Sequence, residues 1–520
     1  LELGNRLNGM GFSEEAVEVY RDAIAAKPGL AAAYVGLAGC HIRAYRLGDA
    51  IAACRAGLEH EPRSLMLRGN LAVSLLQSGR AREAARILAE ARRDEPGNEM
   101  LASNLAVTMN YAGDVSGRDA RAAHEAYAAV LEREFPVPAA RRPLDADPER
   151  RLRVGIVSAD LRAHPCGTFI EPWLAGHSKD GFAITCYSVG PEDAATRRLR
   201  GHPVAWRSVP QVGVAALAEG IKSDGIDVLM DLSGHTQGHR LGVFQRRPAP
   251  VQVTYFGYPN TTGMRVFDGR LVDSITNPAG SEALATEPLV RMDPCFLCFP
   301  PPSGAPEVGG PPMESAEGEA RGVVTFGSFN NVAKIDERTI ELWAKVLRAV
   351  PRSRLLLKYY ALSQEYVRED LLGRLVAGGI EAERVVFDPP GKGTMETLRA
   401  YQRVDIGLDT FPYHGTTTTC EALFMGVPVV TRMGDVCAAR VSGSILAAAG
   451  APEWAAKTDE EFVAIAAGLA GDAAGLARTR AGLRERVLAS ALCDEAAFVA
   501  RLEAAIRALW AAACGARDGH

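Results

Sequence analysis

The chain has 520 residues, which at roughly 150 residues per domain is enough for three or four. It is 47% hydrophobic and 23% charged, with a net charge of −5, a composition that argues against a chain-wide electrostatic footprint for nucleic acid. No run of about 18 apolar residues occurs, so no transmembrane helix is expected.

The first residues, Leu1 to Asn5, lack the basic and apolar regions of a signal peptide. They also lack an initiator Met, so the chain reads as trimmed from something longer. Residues 1–135 carry an internal period. Pro28, Pro62 and Pro96 are 34 residues apart, as are Ala16, Ala50 and Ala84; Ala23, Gly57 and Ala91; and Gly4, Ala38 and Ala72. Four columns in one 34-residue register predict tetratricopeptide repeats, two antiparallel helices each. The small columns let paired helices approach, and Pro stops each second helix. A fourth unit starts near Glu99 and keeps the period at Gly113, after Gly79. It then slips, with its Pro six residues late at Pro136. The insertion Asp114 to Asp119 is expected to lengthen a turn, and this unit is a candidate to dock on the domain that follows. Such a stack offers a concave surface for an extended peptide. A spacer or dimerisation arm is the competing reading.

Residues 136–150 are rich in Pro, Arg and Asp and read as a linker. From 151 to 299, short apolar runs at 152–157, 184–189 and 228–232 read as buried strands with helices between them. The Pro- and Gly-rich segment 300–321 reads as a second linker. A second set of runs follows over 322–477, at 323–326, 355–358, 385–387, 406–408 and 427–430. Two doubly wound domains of this kind would bind a ligand at the carboxyl ends of their strands. Residues 478–520 read as a helical tail packing back on the pair.

Candidate chemistry lies at strand ends. His164 follows the first strand with a helix expected near Phe169; it reads as a cleft residue or as a capping or core His. His235, in Asp231-Leu232-Ser233-Gly234-His235, stands in a comparable loop. Tyr258, Pro259, Asn260 and Thr261 form a turn rich in donors, with plain turn chemistry as the alternative. Cys295 and Cys298 are the one close pair among ten Cys. No second pair or His ligands stand at zinc spacing, so reduced, buried thiols are expected. Asn331 and Lys334 follow the strand ending at Phe326. The chain has 8 Lys against 50 Arg, so a retained Lys is a better candidate for a point charge on phosphate. The strongest signal is Asp409 to Leu423, where Gly415, Thr416, Thr417, Thr418 and Thr419 precede an apolar helical run. A helix N-terminus furnished with hydroxyls suits a diphosphate, and Glu421 one turn in suits a ribose. A Thr-capped helix with a solvated Glu is the plainer alternative.

The repeats, His164-Pro165, Arg247 to Gln252, Gly257-Tyr258-Pro259, Lys334-Ile335-Asp336 and the Thr-rich loop together resemble the O-GlcNAc transferase/SPINDLY family along essentially the whole chain. The finer resemblance, in Gly257 to Gly263, Cys295 to Cys298 and Gly415 to Glu421, is to the SPINDLY branch. O-GlcNAc transferases tend to carry a His before two Thr, and an Asp where Glu421 stands; this sequence departs from both. The resemblance implies an all-α tetratricopeptide superhelix followed by an α/β GT-B glycosyltransferase of two doubly wound, Rossmann-like domains. It implies inverting transfer to Ser or Thr of a protein acceptor, without metal or cofactor. The donor stays open between GDP-fucose, used by plant SPINDLY proteins, and UDP-GlcNAc. His164 and Lys334 would be catalytic. Asn331, Lys334, Gly415, Thr416, Thr417, Thr418, Thr419 and Glu421 would hold the donor, with its base near Pro390, Gly391 and Lys392. His235, Tyr258, Pro259, Asn260 and Thr261 would face the acceptor and sugar.

The implied partners are a nucleotide sugar and a protein in the repeat groove, flagellin being one acceptor associated with bacterial relatives. A homo-oligomer is compatible with the sequence. The implied location is the cytoplasm. Two rival readings are a non-catalytic scaffold and a transferase acting on a non-protein glycan. Because these contacts lie outside the repeats, deleting Leu1 to Arg133 is expected to spare donor hydrolysis and cripple transfer to protein.

Overall fold

The computed structural model describes residues 1–138, 143, 145–315, 321–388, 391 and 393–515. Eight helices open the chain: α1 (Glu2–Gly9), α2 (Ser13–Ala26), α3 (Ala31–Arg43), α4 (Leu47–His60), α5 (Leu65–Gln77), α6 (Ala81–Asp94), α7 (Glu99–Met109) and α8 (Gly117–Glu134). Their pairing follows the 34-residue period. Ala16, Ala50 and Ala84 are fully buried, as are Ala38 and Ala72. The reason for small residues is direct at Gly57, where a Cβ would lie 2.7 Å from Leu67 and 2.8 Å from Tyr34. Pro28, Pro62 and Pro96 fall just after α2, α4 and α6. The insertion goes only partly into a turn. The rest lengthens α8 to 18 residues, because Ser116 caps the helix by accepting the Asp119 N–H at 3.2 Å.

Seven strands follow: β1 (Leu152–Ser158), β2 (Phe182–Ser188), β3 (Ala205–Ser208), β4 (Val228–Asp231), β5 (Val251–Thr254), β6 (Gly269–Val272) and β7 (Leu289–Arg291). They form one parallel sheet in the order β3-β2-β1-β4-β5-β6-β7. Four more are β8 (Val324–Ser328), β9 (Ser353–Lys358), β10 (Val385–Asp388) and β11 (Ile406–Leu408). They pair in parallel as β10-β9-β8-β11. A parallel pair of β12 (Val429–Arg432) and β13 (Ala455–Ala456) comes later. In each large set the order reverses beside a central strand, β1 or β8, which creates a crevice at the carboxyl ends.

The chain folds as two compact units that are discontinuous in sequence. One comprises Leu1–Val115, Gly310–Tyr413 and Asp459–Leu476; the other comprises Ser116–Gly309, His414–Thr458 and Ala477–His520. The first joins α1–α7 to the β8–β11 sheet. The second joins α8 to the β1–β7 sheet. That places α8 on the first strand domain, where the irregular fourth repeat was expected to dock. His124, Tyr127 and Leu131 of α8 are buried, and His124 Nε2 lies 2.7 Å from the Tyr258 hydroxyl. The tail forms two helices, Ala473–Leu488 and Glu495–Gly515. In the second, Trp510 donates its indole N–H to the Asp147 carbonyl at 3.1 Å, and Arg507 donates to the Arg150 carbonyl at 2.7 Å.

The loop 257–263 is held against α8 by a close approach. Gly263 has φ +77°, and a Cβ there would lie 2.2 Å from the backbone carbonyl of His124. Gly280 has φ +93° but faces open space. Gly280→Ala should therefore cost only the left-handed backbone strain, about 1–2 kcal/mol. Gly263→Ala adds a backbone clash that cannot rotate away, and should exceed the ~3 kcal/mol upper edge of ordinary substitutions. Denaturant unfolding of both variants checks this; equal losses would contradict it.

Candidate active site

In the first unit, the carboxyl ends of β8 and β11 carry Asn330 and Asp409. The Asn330 amide donates to the Asp409 carboxylate at 3.1 Å, and Trp343 donates its indole N–H to the Asp409 carbonyl at 3.1 Å. Between these strand ends the chain makes a single turn of 3-10 helix, Val332–Lys334. Asn331 caps it, accepting the Ala333 N–H at 3.0 Å. Asp336 caps the next helix, Glu337–Ala349, through the Thr339 N–H at 3.0 Å. Lys334, presented between these two caps, places Nζ 4.2 Å from the centre of the Tyr413 ring. Burial pushes the ammonium down to about 8, opposed by the negative charge of Asp409. A partly buried cation beside a ring face gains from an arriving anion.

In the second unit, Thr417–Phe424 forms a helix with Thr416 at its cap position, and no side chain caps it. First-turn N–H groups of a helix have no intrahelical partner. Thr419 is committed to Ser442 at 2.9 Å, and Ser442 donates to the Gly415 carbonyl at 3.1 Å. His414 fixes the turn beneath. It takes the Ser442 N–H on Nδ1 at 3.3 Å, so Nε2 carries the proton donated to the Arg432 carbonyl at 2.8 Å. The Thr417 hydroxyl differs from these: its oxygen is buried and, among the described residues, has no hydrogen-bond partner. Glu421 stands four residues further, partly buried, and desolvation pushes its carboxyl up to about 7.

His164 caps the helix Pro165–Gly176. That helix begins four residues before the expected Phe169, because Pro165 occupies its first turn with φ already helical. The Cys166 N–H lies 3.2 Å from His164 Nδ1. In the neutral ring this puts the proton on Nε2. The ring stays neutral because burial lowers its affinity for a proton, partly opposed by Asp160. Asp160, His164 and Cys166 form the one group of three metal-type donors among the described residues, within 4.8 Å of one another. The set is poorly arranged for an ion. Burial raises the Cys166 thiol far above its ordinary value, its S–H points to the Leu232 carbonyl at 3.7 Å, and Nδ1 is already engaged.

The other acceptor-side candidates are largely interior. His235 is buried, neutral and bonded through Nε2 to the Thr262 carbonyl at 2.9 Å. Its ring meets Tyr127 edge-on at 4.5 Å. Tyr258 is buried, and its hydroxyl is the group that meets His124. Thr261 is fully buried and donates to Glu287 at 2.6 Å, while Asn260 accepts the Thr261 N–H at 2.8 Å. Pro259 is half-buried. Pro390 and Lys392 lie outside the described residues. Gly391 is described, packed near Glu396.

Sequence reasoning passed over Asp160, Asp231, Asp409 and Tyr413 as functional positions. Asp231 is buried, with its carboxyl up to about 6, and it receives the N–H groups of Ser233 and Gly234 at 3.0 and 2.9 Å. The available signal was position, an Asp closing an apolar strand at the sheet's carboxyl edge. The repeats also carry a cavity of about 570 Å³, lined by Asn5, Asn8, Arg43, Glu61, Ser64 and Asn70 among others.

A model of glycosyl transferase family 41 matches residues 113–299 and 317–502, and a tetratricopeptide repeat model matches 42–107. The chain is 41% identical over 373 residues to a Petunia hybrida protein named probable UDP-N-acetylglucosamine–peptide N-acetylglucosaminyltransferase SPINDLY, covering 71% of this chain and 40% of that one. It is 27% identical over 407 residues to the Arabidopsis thaliana protein of that description named SEC, covering 76% and 41%. It thus spans about two fifths of the length of these curated relatives. A structure described as an O-GlcNAc transferase variant from Thermobaculum terrenum superposes with a TM-score of 0.90 at 35% identity, covering 99% of this chain and 97% of that one. Its likeness and the strand order agree with the expected fold class, repeats followed by two parallel-sheet α/β domains.

Glu421 supplies a pH test. Its folded-state value, about 7, lies above the ordinary 4.5, so the folded protein binds that proton more tightly than the unfolded chain. Stability from this group is complete below the ordinary value and is lost as pH rises through about 7. Glu421→Gln cannot ionise. The difference in melting temperature, variant minus wild type, should therefore rise across that window and level off above it; a flat difference would contradict the assignment.

Proposed function

We infer function from one premise: the chain belongs to glycosyl transferase family 41. On that premise it transfers a sugar from a nucleoside-diphosphate donor to the hydroxyl of a Ser or Thr on a protein. The acceptor oxygen forms a bond to the anomeric carbon as the bond from that carbon to the diphosphate breaks. The electron pair leaves with the diphosphate, and inversion follows from attack opposite the leaving group. The hydroxyl proton passes to a base or to water.

The leaving diphosphate needs positive charge and donors already in place. Lys334 supplies the charge. The Thr417 hydroxyl and the N-terminus of its helix supply donors. The observation that carries this reading is the buried, unpartnered Thr417 oxygen, since a buried polar atom without a partner costs free energy unless a ligand completes it. Asn331 and Gly415 shape the two turns, and Thr416, Thr418 and Thr419 build the helix start. Glu421 accepts from the ribose, which would favour its ionised form. His164, with its proton on Nε2, orients the sugar or acceptor as a donor. His235, Tyr258, Asn260 and Thr261 hold the acceptor-side loops from within, and Pro259 is half-buried beside them.

The relatives' names favour UDP-N-acetylglucosamine, whereas Thr416 and Glu421 favour GDP-fucose. A thermal-shift comparison of UDP, GDP and CMP decides between them. The true base should stabilise by about 2.7 kcal/mol at a hundredfold excess over Kd. The acceptor class is a protein seated on the repeats, flagellin among the candidates. The ten free cysteines favour a reducing compartment such as the cytoplasm. No single helix among the described residues is long and apolar enough to cross a membrane.

Lys334→Ala should reduce transfer about 100- to 1000-fold at saturating donor, the loss typical of one electrostatic donor to a developing anion. Near-wild-type turnover would remove Lys334 from this role. Transfer should also survive EDTA, because protein donors already serve the diphosphate; loss of activity restored by Mg²⁺ or Mn²⁺ would overturn the metal-independent reading.

A further inference from the structure

One repeat column has a function that the peptide-groove reading does not use. Gly11, Tyr45, Gly79 and Gly113 are 34 residues apart and stand in the turn between the helices of each repeat. The first three have φ of +88°, +58° and +83°. A bulky residue in the left-handed region is strained, yet Tyr45 occupies it with its ring edge-on to Tyr360 at 5.3 Å.

The next two turns close on the segment that carries Lys334. A Cβ at Gly79 would lie 2.7 Å from the Val332 carbonyl oxygen and 2.9 Å from that of Ile335. Arg374 ties the same parts together, donating to the carbonyls of Ser78, Gly79 and Ile335 at 2.9, 3.0 and 2.9 Å. Gly113 donates its N–H to the buried Asp336 carboxylate at 2.8 Å. Two residues earlier, Tyr111 stacks on Tyr413 at 4.6 Å and 13°, and Tyr413 is the ring beside the Lys334 ammonium.

We propose that the turns of the third and fourth repeats, through Gly79, Tyr111 and Gly113, are positioning elements for Lys334, so that the repeats act on donor chemistry as well as on the acceptor. The proposal rests on the reading of Lys334 as the contact to the donor diphosphate. It revises the expectation that removing the repeats spares donor hydrolysis. Tyr111 is the positioning residue that reads out most cleanly, because its ring stacks on Tyr413, the ring beside the lysine.

The test is hydrolysis of the nucleotide sugar by the full chain without protein acceptor, so that peptide binding does not enter. Tyr111→Leu should lower kcat on the order of 100-fold, the scale of a small misplacement of a reacting group, and Tyr111→Phe should restore it. Tyr111→Leu should add nothing in a Lys334→Ala background, since both act through one group. Loosening the packing admits water to Lys334, which Asp409 and Tyr413 face. The basic limb of the pH–rate profile should then move upward from about 8, a shift that mere instability would not produce. Should Tyr111→Leu fail to fold, Asp336→Asn carries the same expectation, because it retains the helix cap and loses the charged acceptor of Gly113. Wild-type hydrolysis and pH profile in these variants, with Lys334→Ala inactive, would overturn the proposal and leave the donor reading standing. Wild-type hydrolysis by Lys334→Ala would overturn the donor reading itself.

Discussion

A partly buried ammonium, Lys334, is the constraint on which the strand ends of the first unit depend. Desolvation lowers the proton affinity of Lys334, and a group in that condition holds its position only if its surroundings are fixed. The surroundings here are rigid for identifiable reasons. Asn331 and Asp336 cap the turns on either side. Asn330 and Trp343 pin Asp409 at the end of β11. Thr339 holds the next turn from both directions, accepting the Phe411 N–H at 3.1 Å and donating to its carbonyl at 2.8 Å. A charge positioned in advance costs no reorganisation when a diphosphate departs.

The second unit presents the complementary problem. Its helix at Thr417 begins without a side-chain cap, with one buried hydroxyl unpartnered and a carboxyl pushed toward its protonated form. Each is a small cost in the ligand-free protein. On the proposed reading each would be relieved by one nucleoside diphosphate, since phosphate oxygens accept from hydroxyl and backbone N–H groups and a ribose donates to a carboxylate. By contrast, Thr261 and Asn260 already have their partners inside the protein, which assigns them to holding loop shape.

Much of this was legible in the sequence. The repeats were readable because stacking demands small residues at fixed intervals, and Ala16, Ala50 and Ala84 are indeed fully buried. Short apolar runs such as 152–157 identified the central strands, whose two faces are largely covered. The edge and later strands gave no such signal. β3 is mostly exposed and carries Arg207; β6 opens with Gly269 and buries Arg270; β7 has three residues after Pro288. The Thr-rich loop and Lys334 stood out by residue type. Tyr111 and Tyr413 did not, since an aromatic in a turn says nothing about its partner until the fold brings distant segments together. Gly79 and Gly113 were visible as a period, but their use, a close approach to the Lys334 segment, is a tertiary fact.

The most direct test of the account is calorimetric titration of UDP and GDP into wild type and Lys334→Ala, at pH values on both sides of about 8. If the lysine ammonium meets the diphosphate, binding to wild type weakens as pH rises through that value. Above it, binding takes up protons as the ligand restores the charge. Lys334→Ala should bind more weakly and show neither effect. The same weakening and proton uptake in Lys334→Ala would contradict the account.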